Sequence, residues 1–219
     1  MPHDTLAFTQ GLLMHGGRLY ESTGSPAGHT SSLRQIDPAT GAVIGQQAVP
    51  QVFAEGIAAL KGTLYQLTWR EGLALARALP GLNPIIAQYS YEGEGWGLTA
   101  DGKRLIMSNG SDTLYWRDTD LRMTRALPVT MAGKPLRQLN ELEYANGAVF
   151  ANVWYSIYIF RIDPASGAVT RVYDCQALAA QAGVDASQKV LNGIAFDPAT
   201  GHFYVTGKDW PRLFEVTLP

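Results

Sequence analysis

Residues 139–154 read LNELEYANGAVFANVW. Alternation over Leu139–Tyr144, the pair Asn146-Gly147 and the apolar return over Val149–Trp154 predict a tight β-hairpin. An antiparallel hairpin sets the start of its first strand beside the end of its second. Asn140 and Trp154, fourteen positions apart, are therefore expected on one rim of a sheet.

The same unit recurs along the chain. With Gly11-Leu12 as marker, it returns at Gly56-Ile57, Gly97-Leu98, Glu141-Leu142 and Gly193-Ile194, at intervals of 45, 41, 44 and 52 residues. A second apolar strand follows each marker: Leu19-Tyr20, Leu64-Tyr65, Leu105-Ile106, Val149-Phe150 and Phe203-Tyr204. Third strands are expected at Ser32–Asp37, Leu73–Leu79, Thr113–Arg117, Ile157–Asp163 and Arg212–Thr217. Fourth strands are expected at Ala42–Val49, Pro84–Tyr89, Met123–Val129 and Ala168–Tyr173. Turns that open on Asp-Pro and close on Gly, Asp37–Gly41 and Asp163–Gly167, separate third from fourth strands in two units. Asp174–Gly183 is the one helical stretch, and it accounts for the longest interval. A period of roughly 40–50 residues with four strands per unit is the pattern of an all-β propeller, and five units give a five-bladed β-propeller. A β-sandwich explains the strands but not the repeated columns. The chain is expected to form a single domain over residues 1–219, with blades near 8–50, 53–91, 94–130, 139–175 and 191–219. The fifth unit ends after three strands and only Met1–Leu6 precedes the first marker, so blade five is expected to be incomplete or to pair with another chain.

Composition narrows the functional classes. The 219 residues are 46% apolar and 16% charged, with 23 Gly and 12 Pro, which suits short strands and many turns. A net charge of −2 without a Lys/Arg run argues against nucleic acid as a partner. No apolar stretch has the length of a membrane span; Ala148–Phe160 comes nearest and Asn152 interrupts it. Cys175 is the only cysteine, so neither a disulfide framework nor a Cys-based zinc site exists. The start, MPHDTLAFTQG, carries no basic and apolar leader pattern. His3, His15, His29 and His202 are scattered, with His29 expected in a loop, and no HExxH, GxSxG, P-loop or EF-hand motif occurs. Asn109-Gly110-Ser111 reads either as a glycosylation sequon or as a tight turn.

Two columns locate a site. The residues just before the markers are Gln10, Glu55, Trp96, Asn140 and Asn192; those closing the second strands are Gly24, Trp69, Gly110, Trp154 and Lys208. Innermost propeller strands would deliver both columns to one mouth of the central channel, and Phe8 and Phe53 point the same way by the strand period. Each residue alone has a structural explanation, since aromatics pack between blades and Asn or Gln bonds to turns. Their convergence from equivalent repeat positions instead describes an apolar-walled pocket with a few polar groups. Glu92 and Glu94, in YEGEG beside Trp96, read as an exposed turn. Glu141 and Glu143 face away from Asn140, where they can line the channel, hold a structural cation or form salt bridges.

At these residues the chain resembles the plant-type and bacterial glutaminyl cyclases, or glutamine cyclotransferases. The resemblance is carried by PHDTLAFTQGL (2–12), LYESTG (19–24), FAEGIA (53–58), TW (68–69), GWGLTADG (95–102), LNELEYANGAVFANVW (139–154), LNGIAFDP (191–198) and VTGKDWPRLFEV (205–216). It implies a five-bladed propeller that converts the N-terminal Gln of a peptide or protein into pyroglutamate and ammonia. It assigns proton shuttling to Glu55, substrate-holding polar roles to Gln10, Asn140 and Lys208, and pocket walls to Phe8, Phe53, Trp69, Trp96 and Trp154. Asn192 joins the substrate-binding set by its column position. No metal or cofactor is implied for the chemistry, although a cation in the channel stays open. A monomer is expected, in a periplasmic or secreted setting by family context, with a cytoplasmic one left open by the missing leader pattern. Two departures stand out: the strand that family members carry before PHD is absent, and REGLALARALPG after Trp69 fits the family poorly. A non-catalytic propeller binding peptide N-termini or sugars is the alternative; a lectin would need neither Glu55 nor Lys208. A Ca²⁺-dependent lactonase-like propeller would need more inward carboxylates than the columns offer.

Overall fold

The computed structural model describes residues 1–26 and 30–219; His29, expected in a loop, lies outside them. Blade one comprises β1 (Thr9–His15), β2 (Arg18–Thr23), β3 (Ser31–Ile36) and β4 (Val43–Val49). Blade two comprises β5 (Ala54–Leu60), β6 (Thr63–Thr68), β7 (Leu73–Ala78) and β8 (Ile85–Ser90). Blade three comprises β9 (Leu98–Ala100), β10 (Leu105–Met107), β11 (Thr113–Arg117) and β12 (Met123–Pro128). A small hairpin, β13 (Thr130–Met131) and β14 (Lys134–Pro135), precedes blade four. Blade four holds β15 (Leu139–Ala145), β16 (Ala148–Val153), β17 (Tyr158–Ile162) and β18 (Val169–Asp174). Helix α1 (Gln176–Ala182) then leads to blade five: β19 (Leu191–Asp197), β20 (His202–Gly207) and β21 (Phe214–Val216). Each blade is an antiparallel meander in sequence order, and the innermost strands β1, β5, β9, β15 and β19 touch their neighbours around a closed ring. The fold is a five-bladed β-propeller.

Local chemistry explains these elements. Asn146 and Gly147, with φ of 50° and 75°, make the turn that the Asn-Gly pair requires; Lys61-Gly62 (51°, 78°) does the same in blade two. Innermost strands are buried along nearly their whole length, whereas β4, β8 and β12 alternate toward solvent. The marker glycines sit where adjacent innermost strands meet backbone to backbone. A Cβ on Gly11 would lie 2.7 Å from Ile57 N, and one on Gly56 would lie 2.5 Å from Leu98 N. Gly183, in the left-handed region, ends α1 as a C-terminal cap.

The marker in blade four is Glu141, and among the described residues it forms no salt bridge. Its two carboxylate oxygens accept from Leu12 N (3.2 Å) and Ile194 N (2.9 Å), tying blade four to blades one and five. Glu143 accepts from Phe196 N (2.9 Å) and the Thr99 hydroxyl (3.3 Å). Both carboxylates line the channel and bind backbone groups there.

Blade five has three strands among the described residues, and no full fourth strand comes from elsewhere in the chain. The lead nevertheless joins it. The Met1 amino group donates to Leu213 O (2.8 Å), Leu213 N donates to Met1 O (3.1 Å) and His3 N donates to Pro211 O (3.0 Å), with Pro2 and Arg212 forming a single antiparallel bridge. Blade five is thus incomplete, as its three strands predict, and Met1–His3 extends it by that one bridge and its flanking bonds.

Candidate active site

The hairpins place the two columns as their spacing predicts. Thr9 pairs with Thr23, Ala54 with Thr68, Leu139 with Val153 and Leu191 with Gly207, so the next residue on each strand lies at the same rim. The register then shifts at the column residue in all four hairpins, between Thr9 and Gly11, Ala54 and Ile57, Leu139 and Leu142, and Leu191 and Ile194. A bulge re-aims a side chain off the pleat. Here it accompanies Gln10, Glu55, Asn140 and Asn192.

Three of those four, with Lys208, border a cavity of about 460 Å³ at the mouth of the channel. Its walls are Phe8, Phe53, Trp69, Trp96 and Trp154. The rings interlock edge to face: Phe8–Phe53 at 6.1 Å, Phe53–Trp69 at 5.6 Å and Trp96–Trp154 at 5.5 Å between centroids. Two column glycines make room for them. A Cβ on Gly24 would overlap the Phe53 ring, and one on Gly110 would lie 2.6 Å from Trp96.

Polar groups enter from separate blades. Glu55 is 4% exposed and its Oε1 accepts from Gln10 Nε2 at 3.0 Å. Burial pushes its carboxyl well above the usual range; Lys208 opposes the shift, while the charges of Glu94 and Glu71 add to it. Lys208 Nζ stands 4.6 Å from the Phe8 ring centroid. Burial pulls that amine down to about 8, against the opposing pull of Glu55 and Asp209. Asn140 is buried at the cavity edge.

Asn192 stands apart from the expected set. It is fully enclosed, does not border the cavity, and donates from Nδ2 to Thr9 O at 3.0 Å and to Gln10 Oε1 at 3.4 Å. It lies behind Gln10, its amide engaged by Thr9 and Gln10 of blade one.

Two residues of the site were missed. Glu94, read as part of an exposed turn, accepts from both Trp69 Nε1 (2.8 Å) and Trp96 Nε1 (2.9 Å) through Oε2. Its Oε1 takes Arg70 Nε at 3.1 Å, and the Arg70 guanidinium lies 3.8 Å over the Trp69 ring. Burial opposes ionisation of Glu94, yet the bonds from Trp96, Trp69 and Arg70 outweigh it and the carboxyl falls below its ordinary value. One carboxylate therefore braces walls from blades two and three. The available signal was that two indole N–H donors, each needing an acceptor, sit near an acid two residues before Trp96.

Comparison with known proteins places the chain in a family. A family model described as glutamine cyclotransferase matches residues 1–218. The glutaminyl-peptide cyclotransferase of Arabidopsis thaliana is 38% identical over 226 aligned residues, spanning 99% of this chain and 69% of that one. The crystal structure of Myxococcus xanthus glutaminyl cyclase superposes with a TM-score of 0.90 at 41% identity, over 98% of this chain and 92% of that chain. The WD40 β-propeller domain of Doa1, at 10% identity and a TM-score of 0.53 over 94% of this chain and 62% of that one, shares the fold alone. With a family model matched over residues 1–218 and a relative 38% identical over 99% of the chain, one assignment follows: the chain belongs to the glutamine cyclotransferase family.

Proposed function

We propose that this protein is a glutaminyl-peptide cyclotransferase acting on the N-terminal Gln of peptides or proteins. The observation that carries the reading is Glu55, a buried carboxyl bonded to Gln10 in an aromatic cavity that also holds Lys208. The α-amine attacks the γ-carbonyl carbon of its own side chain, a C–N bond forms, the amide C–N bond breaks and ammonia leaves. No electrons are exchanged; one proton must travel from the amine to the departing nitrogen.

The chemistry is already intramolecular, so the cavity must hold a folded near-attack conformer. Trp and Phe walls suit the methylenes of Gln and exclude water. A substrate ammonium beside ionised Glu55 and a free amine beside neutral Glu55 carry the same number of protons. Desolvation favours the uncharged pair, and that pair contains the nucleophile and the acid that the reaction needs. Lys208 and Asn140, which both border the cavity, are assigned here as the donors to the oxygen that becomes negative. These groups need no metal to act, so activity is expected to survive prolonged EDTA treatment. Loss of turnover at unchanged folding would refute that expectation.

The deciding test is incubation with Gln-Ala and with the isosteric Glu-Ala, followed by ammonia release and mass spectrometry. A loss of 17 Da from Gln-Ala, the mass of ammonia by elementary chemistry and so about 17 Da for any such cyclisation, is expected. A protein that binds Gln-Ala without changing its mass would favour the non-catalytic propeller instead.

A further inference from the structure

The geometry points to Asn192 as a positioning residue: acting through Gln10, it dictates which oxygen of Glu55 carries the proton. The deduction starts at a backbone carbonyl. Thr9 O lies 3.0 Å from one end of the Asn192 amide. A carbonyl oxygen can only accept, so the NH₂ end of Asn192 must face it. The same NH₂ lies 3.4 Å from the Gln10 amide. An amide nitrogen cannot accept, so Gln10 turns its oxygen toward Asn192 and its NH₂ toward Glu55. That NH₂ is 3.0 Å from Glu55 Oε1. Oε1 must then act as an acceptor, and the proton of a neutral Glu55 resides on Oε2.

A flipped Gln10 would do the opposite. Its oxygen would accept a hydrogen bond from a protonated Oε1, hold Glu55 in its neutral form and withhold that proton from the reacting nitrogens. With Gln10 fixed, the substrate ammonium gives one proton to Oε2; as the amine attacks and the amide C–N bond breaks, Oε2 gives that proton to the departing nitrogen, which leaves as ammonia, and takes the second proton of the attacking nitrogen, so the lactam and a neutral Glu55 remain. One oxygen carries the proton while the other stays bonded to Gln10. The arrangement leaves Asn192 Oδ1 fully enclosed without a partner. A leucine would remove that orphaned acceptor but would strip Thr9 O and Gln10 Oε1 of their donor, so the amide is explained by the bonds it donates and not by packing. The charged and titratable groups acting on Glu55 are Lys208, Glu94 and Glu71, and Tyr91 feels its charge in turn. Asn192 touches none of the cavity, so its effect must pass through Gln10.

This inference rests on the cyclotransferase reading, and the test separates the two. Asn192→Leu is compared with wild type for kcat and KM on Gln-Ala across pH, and for the infrared carbonyl band of protonated Glu55 without substrate. That band is identified by its disappearance in Glu55→Gln. The expected result is a kcat lower by about tenfold or more, with KM within about twofold, and the acid limb of the kcat profile moved to higher pH. The infrared band should shift as well. In a Gln10→Met background, adding Asn192→Leu should change kcat by less than about twofold, because the route is already cut. A folded Asn192→Leu protein with unchanged kcat, pH profile and infrared band would overturn the proposal, as would an undiminished effect in the Gln10→Met background. Should Asn192→Leu not fold, Asn192→Ala puts the same question. If wild type released no ammonia from Gln-Ala, the cyclotransferase reading would fall, and the infrared band would still decide the positioning role.

Discussion

Glu55 and Glu94 border the same cavity and are driven in opposite directions: burial raises one carboxyl, and two indoles with an arginine lower the other. Such divergence marks an acid–base group beside a fixed charge. Glu55→Gln keeps the shape and removes the titratable oxygen. It is expected to lower kcat by about 10²–10⁴ with little change in KM, measured by steady-state ammonia release alongside a thermal melt. A folded variant within a few-fold of wild type would take Glu55 out of the reaction. Glu94→Ala leaves two indoles without their acceptor and frees walls that touch substrate before and during the reaction. A KM increase of about tenfold, with kcat changing less and tryptophan fluorescence altered, is expected. An unchanged KM would show that the brace is dispensable. The difference in how legible these two acids were is physical. Glu55 stands in a repeat column with four counterparts, whereas Glu94 lies in YEGEG, where Gly and Glu spell a solvated turn and only convergence in space brings Trp69, Trp96 and Arg70 to it.

At the scale of the element, the hairpin is the unit that was read correctly, because Asn146-Gly147 and the strand alternation act locally. The bulges were not readable. They arise where innermost strands crowd around the channel; three of the four residues on them reach the cavity, whereas Asn192 is held by Thr9 and Gln10 behind the wall that its column position implied. The hairpin β13–β14 was missed because two-residue strands carry no alternation. Glycine gives a direct test of how the columns make room. Gly147 and Gly110 both adopt left-handed φ, of 75° and 79°, but a Cβ at Gly147 meets nothing whereas one at Gly110 strikes Trp96. Gly147→Ala should cost only the backbone penalty of about 1–2 kcal/mol. Gly110→Ala should cost about 1–3 kcal/mol more, from displacing the ring, and should weaken activity too. Urea unfolding of both variants checks this. Equal losses would mean that Trp96 yields freely and that the glycine column has no bearing on the wall.

Over the whole molecule, the ring is held by titratable groups buried at its seams, and these make stability depend on pH in a defined sense. The histidines looked scattered in sequence, yet His3 clasps blade five to blade one: Nδ1 donates to Trp210 O at 2.7 Å and Nε2 lies 2.9 Å from Glu21 Oε1, which also accepts from Thr9. Burial works against charge on both partners, but their mutual attraction and bonds prevail, so His3 is raised above 6.5 and Glu21 lowered below 4.5. The His3 contribution is present below its unfolded value and lost as pH climbs through the folded one. The Glu21 contribution is present above its unfolded value and lost as pH falls through the folded one. In the channel, burial raises Glu143 to about 8 and Glu141 well above 4.5. Raised carboxyls stabilise the fold below 4.5 and progressively less as pH rises, since the unfolded chain ionises first. All these senses agree on a maximum near pH 5, with about 3–5 kcal/mol lost by pH 8 through Glu143 alone. Glu143→Gln should flatten that alkaline decline, because an amide has nothing to ionise, while the acid limb set by Glu21 stays in place. Urea titrations from pH 4 to pH 9 measure both limbs. A wild-type curve that is level from pH 5 to pH 8, or an equally steep decline in Glu143→Gln, would mean that the channel carboxylates stay ionised on their backbone donors throughout.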